Sequence, residues 1–217
     1  MKNVDDLIGS AKELARQGLS KGEIADELNV SRETASWLVE RSGASDTPGI
    51  DDAAADATGV TGPDDIHVDW SAIGRDSERL GHVGAAMADL LAKEGEAVDL
   101  TVGIENAGSP LATAIARELG TDLAAYTPAK HRWEEGDIEE LTGSFSRNFA
   151  GIRGRECYVV DDTITSGTTI RETVEAVREE GGEPVACVVV VDKQGVESIE
   201  DVPVYSLINV VRVGDDG

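Results

Sequence analysis

Lysine is scarce in this chain of 217 residues: six lysines and 13 arginines stand against 43 Asp and Glu. The formal charge is −24. An excess of that size opposes nucleic-acid binding by the molecule as a whole, because a phosphate backbone is held by cationic side chains. Aromatic residues make up only 4% of the chain, so a core has to be built from Val, Ile, Leu and Ala. Cysteine is limited to Cys157 and Cys187, both in apolar, strand-like runs. That excludes a disulfide framework and reads as two buried free thiols. No apolar run approaches the ~20 residues that span a bilayer. The opening stretch "MKNVDDLIGSAKELARQG" lacks the apolar centre of a signal peptide. The expectation is a cytoplasmic protein with no membrane partner.

What is present is 40% hydrophobic residues in strongly periodic segments, enough for one ordinary domain and a small one. The acidic, lysine-poor balance resembles that of proteins from salt-loving archaea, where the Debye length falls to roughly 3 Å at 1 M salt. The charge is uneven. Residues 1–43 carry six basic and eight acidic groups, residues 44–65 six Asp and no base, and residues 66–217 13 bases and 29 acids. The first segment is therefore the least repulsive place for a nucleic-acid backbone.

In that segment Val4, Leu7, Ile8, Ala11, Leu14 and Ala15 form the stripe of an amphipathic helix ended by Gly18. Ser20 with Glu23 is a capping box opening a second helix. Asn29 suits the left-handed residue of a tight turn, and Ser31 the N-cap of a third helix with stripe Ala35, Leu38 and Val39. The small, turn and apolar positions from Lys21 to Arg41 match a helix-turn-helix. Its second helix presents Ser31, Arg32, Ser36 and Trp37 outward, the face that enters a major groove. Arg32 suits a guanine edge and Ser36 a base or phosphate. Arg16, Lys21 and Arg41 suit phosphate contacts. The alternative is a three-helix protein-interaction module. Trp37 fits either groove contact or packing on a dimer partner.

Residues 44–65, "ASDTPGIDDAAADATGVTGPDD", have no apolar period and read as a flexible, self-repelling linker. From residue 66 strands and helices alternate: helix at "SERLGHVGAAMADLLAKEG", strand at "AVDLTVGIE", helix at "SPLATAIARELG", strands at "TDLAAY" and "ECYVVDD", helix at "GTTIRETVEAVREEGG", and strands at "PVACVVVVD" and "VPVYSLINVV". That order predicts an α/β domain, a largely parallel sheet covered on both faces, behind a small all-α domain. The predicted boundaries are 1–43, 44–65 and 66–217.

The stretch "CYVVDDTITSGTTI", Cys157–Ile170, carries the chemistry. A strand delivers Asp161 and Asp162 to the carboxyl edge of the sheet, where ligands of open α/β sheets bind. Thr163, Thr165, Ser166, Gly167, Thr168 and Thr169 follow, and a helix begins. Backbone N–H groups at such a helix start cradle a phosphate, with hydroxyls adding donors and Gly167 allowing close approach. The carboxylates suit ribose hydroxyls. The plain alternative for them is a solvated strand end or a helix cap.

This stretch resembles the phosphoribosyl-diphosphate signature of the type I phosphoribosyltransferases. "VGIENAGSPLATAIA", residues 102–116, resembles the diphosphate loop and following helix of orotate phosphoribosyltransferases, with Gly108, Ser109 and Pro110 at its turn. Ser109 also reads as a simple helix cap. In those enzymes a mobile basic loop with a His-Gly pair stabilises the departing diphosphate. The equivalent here, within residues 127–150, has Lys130, His131 and Arg132, then Glu134, Glu135, Asp137, Glu139 and Glu140, and no His-Gly pair. Lys130 and Arg132 are the candidates if catalysis persists. The joining of a helix-turn-helix to such a domain resembles a family of archaeal transcription regulators of glucose and fructose metabolism. The resemblance implies a homodimer reading a palindromic promoter site and a retained pocket that senses a phosphorylated metabolite. The rival reading is an active orotate or purine phosphoribosyltransferase; a third is a regulator with residual catalysis. No cofactor is expected to be tightly bound and no protein-only metal cage is visible. Mg²⁺ would come only with phosphoribosyl diphosphate.

Overall fold

The described residues of the first unit form three helices: α1 (Val4–Arg16), α2 (Lys21–Glu27) and α3 (Arg32–Arg41). The structure is a computed structural model that describes residues 4–19, 21–43, 66–129 and 143–210. Gly18 ends α1 at φ +88° and Asn29 makes the α2–α3 turn at φ +52°, the left-handed region that Asn tolerates. Ser31 Oγ accepts the Thr34 N–H at 3.1 Å, capping α3. Leu7, Ala11, Ile24, Ala25, Leu28, Val30, Ala35, Leu38 and Val39 close the core. The predicted capping box involves Ser20, which lies outside the described residues, as does the predicted linker 44–65.

The chain divides into units Met1–Asp69 and Trp70–Gly217, four residues beyond the predicted start of the second domain. The reason is His67, whose Nδ1 bonds the Leu28 carbonyl. That bond gathers the segment before Trp70 onto the helices.

The second unit begins with a short turn of helix, α4 (Ser71–Gly74), and the long α5 (Ser77–Glu94). Then come β1 (Leu100–Ile104), α6 (Gly108–Leu119), β2 (Asp122–Thr127), β3 (Ser144–Phe145), β4 (Glu156–Val160), β5 (Thr163–Ile164), α7 (Thr168–Glu179), β6 (Glu183–Asp192), β7 (Ser198–Ile199) and β8 (Val202–Asn209). The strand order is β3-β2-β1-β4-β6-β8-β7, with β5 also on β6. Among the described residues the central pairs are parallel, and only β2/β3 and β7/β8 are antiparallel. β1 is buried along its whole length, as expected of a strand covered on both faces. On one face Val159 and Val189 pack with Ile170 and Val174 of α7. On the other, α5 and α6 lie so close that a Cβ at Gly84 would collide with Ala114. The regular elements follow the predicted pattern. The additions, α4, β3, β5 and β7, span two to four residues each, too short to show a period.

Cys157 and Cys187 are buried and free. Burial pushes the Cys157 thiol up to about 12 and raises that of Cys187 as well.

Candidate functional site

The two aspartates sit where β4 runs into β5. Val160 pairs with Val188 and Thr163 with Val191, so the register is the same on both sides of them. The Asp161 N–H reaches the Val188 carbonyl at 3.2 Å, and the Asp162 carbonyl accepts from Val190 and Val191 N–H, each at 3.0 Å. Adjacent residues of an extended chain face opposite ways, and the two carboxylates are accordingly unlike. Asp161 is partly exposed, and its Oδ1 accepts the Asp162 N–H at 2.9 Å. Asp162 is only 8% exposed. Its Oδ2 accepts from Trp70 Nε1 at 2.8 Å and from Thr163 Oγ1 at 3.3 Å. Burial raises the Asp162 carboxyl above the usual carboxylate range, against the opposing pull of those hydrogen bonds.

The loop that follows has the geometry of a cradle. Gly167 takes φ +73° as the N-cap of α7, which makes glycine the favoured residue there. A Cβ on it would also lie 3.2 Å from Ile199 Cδ1. Ser166 Oγ and Thr168 Oγ1 are 3.0 Å apart and both residues are exposed. Gln194 Nε2 donates to the Thr165 carbonyl, tying the loop to the turn after β6. Thr169 is partly exposed. The first turn of a helix lacks intrahelical acceptors for its N–H groups, so an anion set against residues 165–169 meets backbone donors and hydroxyls together.

The second predicted loop stands beside the first. A Cβ on Gly108 would press into the Val160 carbonyl oxygen and come within 3.0 Å of Asp161 Cα. Only glycine lets the start of α6 approach the aspartates so closely. Gly103 of β1 makes the matching room, since a Cβ there would lie 2.8 Å from Ser109 Cα. Ala107, not Ser109, is the N-cap of α6, and it makes no side-chain cap bond. The helix-cap reading of Ser109 therefore does not hold: it belongs to the first turn. Its Oγ is buried and makes no hydrogen bond among the described residues. The Glu105–Asn106 peptide is cis.

Lys130 and Arg132 lie outside the described residues, but both flanks of that segment meet one carboxylate. Glu172 Oε1, on α7, accepts from Tyr126 Oη at 2.9 Å and from the Ala129 N–H at 2.8 Å. A Cβ at Gly143 would lie 2.7 Å from the same oxygen. Burial first, then Glu172, raises the Tyr126 phenol. Among the described residues no cluster of His, Cys, Asp and Glu could hold a metal ion, and no helix is long and apolar enough to cross a membrane.

In the first unit Arg16, Arg32 and Arg41 are exposed. Ser31 is engaged in capping. Lys21 Nζ donates to Ser36 Oγ at 2.6 Å and pairs with Glu40 at 3.2 Å. Trp37 is partly buried against the helical core, and the Arg41 guanidinium lies 5.4 Å from its ring centroid. Lys21 and Ser36 are thus already partnered within the unit, and Arg16, Arg32 and Arg41 join Lys21 as exposed cations among the described residues.

Sequence reasoning missed Trp70 and Glu172. Neither carries a local signal: Trp70 is a single aromatic in "HVDWSAIG" and Glu172 one acid on an amphipathic helix. Only the fold brings Trp70 to Asp162 and Glu172 to Tyr126 and Ala129.

The chain matches the family described as "Phosphoribosyl transferase domain" over residues 69–215. Its fold is similar to orotate phosphoribosyltransferase of Mycobacterium tuberculosis solved with inorganic phosphate, at TM-score 0.53 and 23% identity over 67% of this chain and 80% of that one. It is also similar to adenine phosphoribosyltransferase of Thermoanaerobacter pseudethanolicus, at TM-score 0.54 and 19% identity over 67% and 89%. Relatives that extend over the whole chain carry the name transcriptional regulator GfcR. That of Haloquadratum walsbyi is 70% identical over 100% of this chain and 96% of its own length. That of Haloferax volcanii is 67% identical over 99% and 100%, and that of Methanocella arvoryzae 44% identical over 98% and 100%. Identity of this extent runs from end to end of both chains, and the chain belongs to the GfcR family of transcriptional regulators.

Proposed function

We propose that this regulator binds promoter DNA through its helix-turn-helix and responds to a phosphorylated sugar held in the retained phosphoribosyl site, so adjusting genes of sugar metabolism. The observation that carries the proposal is the juxtaposition at the carboxyl edge of the sheet. The Thr165–Thr169 cradle at the start of α7, the half-exposed Asp161 and the Gly108–Ser109 turn lie side by side. Phosphate goes to the cradle, and sugar hydroxyls go to the carboxylates. On the DNA side, Arg32 is the base-reading candidate on α3, with Arg16 and Arg41 toward phosphates. A homodimer would present two α3 helices to a palindromic site. The net charge of −24 makes DNA binding depend on those few arginines and suits a cytoplasm rich in salt.

Sensing is favoured over catalysis by the segment that would cover the site. Its two bases Lys130 and Arg132 are followed by five acids within residues 134–140. A departing diphosphate needs concentrated positive charge, and so acidic a stretch supplies the opposite. If phosphoribosyl diphosphate itself is the ligand, Mg²⁺ enters with its oxygens. Ligand binding shifts DNA affinity only through its different affinity for the two arrangements of the dimer.

The test is to titrate purified protein in molar salt with phosphoribosyl diphosphate, Mg²⁺ and orotate, following diphosphate release and the melting temperature together. Sensing predicts no turnover and a raised melting temperature that Asp161→Asn reduces. Steady turnover would establish an enzyme instead.

A further inference from the structure

Trp70 is the residue at which the chain enters its second unit, and its indole occupies Asp162. Oδ2 of that carboxylate accepts Trp70 Nε1 at 2.8 Å and Thr163 Oγ1 at 3.3 Å. A carboxylate oxygen has about two lone-pair sites, so both directions at Oδ2 are taken. The residue is also 8% exposed and offers little surface until a neighbour moves.

The two donors are not equally free to move. Thr163 is part of β5, held in register on β6. Trp70 precedes a helix of only four residues, α4, as its N-cap with no side-chain cap bond. Its ring rests over Gly74, where a Cβ would fall 2.8 Å from the ring edge. The far end of the segment is fixed to α5, because Asp76 caps that helix and Arg79 Nη1 donates to the Ala72 carbonyl. A buried carboxylate stripped of a donor is costly, so the indole leaves only in exchange for another donor.

We propose that Trp70 is an internal competitor for the ligand. A sugar hydroxyl donating to Asp162 Oδ2 replaces the indole N–H, and the indole moves away toward water. The backbone at Trp70 and Ser71, through which the chain continues back toward the helix-turn-helix, moves with it, while Ala72 stays held by Arg79. The exchange is one hydrogen bond for another, so it costs little and still reports occupancy of the site at the start of the unit. Binding and indole release are then linked, each favouring the other. Inorganic phosphate, which fills the cradle and carries no sugar hydroxyl, leaves the indole in place. This rests on the reading of Asp161–Thr169 as the ligand site.

The test uses the full chain with Trp37→Phe and Trp133→Phe, so that Trp70 is the sole emitter, with ribose 5-phosphate and inorganic phosphate as probes. Calorimetry measures binding, while emission wavelength and acrylamide quenching measure the indole. The expected result is a red shift and greater quenching with ribose 5-phosphate and none with phosphate. In otherwise native protein, Trp70→Phe should bind ribose 5-phosphate about tenfold more tightly, the scale of one hydrogen bond to a charged group, and phosphate equally well. Ribose 5-phosphate binding with the Trp70 emission unmoved overturns the proposal and leaves the site reading intact. So does Trp70→Phe binding ribose 5-phosphate no better than the native protein. Ribose 5-phosphate held no more tightly than phosphate, with no Trp70 signal, overturns it too. Failure of both probes to bind native protein and Trp70→Phe refutes the site reading, and this one with it.

Discussion

Gly103→Ala is a local perturbation that reaches the site through packing alone. Gly103 lies in β1 under the first turn of α6, and a Cβ there would sit 2.8 Å from both Ser109 Cα and Ala112 Cβ. Ordinary contacts begin near 3.4 Å, so the start of α6 has to retreat by roughly 0.6 Å, and both opposing atoms are rigid parts of a helix. Overpacking of this kind costs about 1–3 kcal/mol. For a domain of this size about 2 kcal/mol lowers Tm by roughly 4–8 °C. The retreat carries Gly108 and Ser109 away from Asp161, so affinity for phosphoribosyl diphosphate falls with stability. The control is Gly81→Ala in the middle of α5, where an added Cβ meets nothing within 4 Å and the helix gains up to about 1 kcal/mol. Thermal melts, and calorimetry with phosphoribosyl diphosphate and Mg²⁺, in molar salt measure both variants. Equal melting of Gly103→Ala and native protein would falsify the packing of α6 on β1 described above.

Asn29 holds φ +52°, so Asn29→Ala should destabilise the helical unit by about 1–2 kcal/mol while Asn29→Gly costs less; a melt showing the reverse order would place the turn elsewhere. Ser31→Ala removes the bond to the Thr34 N–H and should cost about 1 kcal/mol, read as a lower unfolding midpoint. Because burial raises the Asp162 carboxyl, the folded state holds that proton more tightly than the unfolded one. Its contribution to stability is present below the ordinary carboxylate value and is lost as pH rises through the raised value. Asp162→Asn has no such dependence, so its stability relative to native protein should climb from about pH 4 upward; a pH-independent difference in denaturant midpoints would contradict this. With Cys157 pushed up to about 12 and both thiols buried, native protein should resist a disulfide-exchange reagent at neutral pH and release two thiols per chain only in denaturant. Rapid labelling of folded protein would show that the core opens.

Much of this protein is legible along the chain because its signals are local. The turn at Asn29 and the cap at Ser31 depend on neighbours three or four residues away. The buried run of β1 follows from apolar content and needs no partner to be recognised. Gly167 announces its loop because a left-handed residue followed by a helix favours glycine. The short strands β3, β5 and β7 escape notice because two residues have no period.

The sequence by itself determined the order of the two units, the parallel α/β plan, the position of the loop at Gly167 and the acidic balance. Each of these is written in spacing or composition. Only the tertiary structure decided that the adjacent aspartates are unequal, because which face of a strand is covered depends on what packs there. It alone brought Trp70 to Asp162 across 92 positions and Glu172 to Tyr126 across 46. It alone turned Lys21 toward Ser36 and Glu40. Contacts between residues so distant leave no periodic trace in the chain, since the energy that selects them exists only once the sheet and its helices have closed around them.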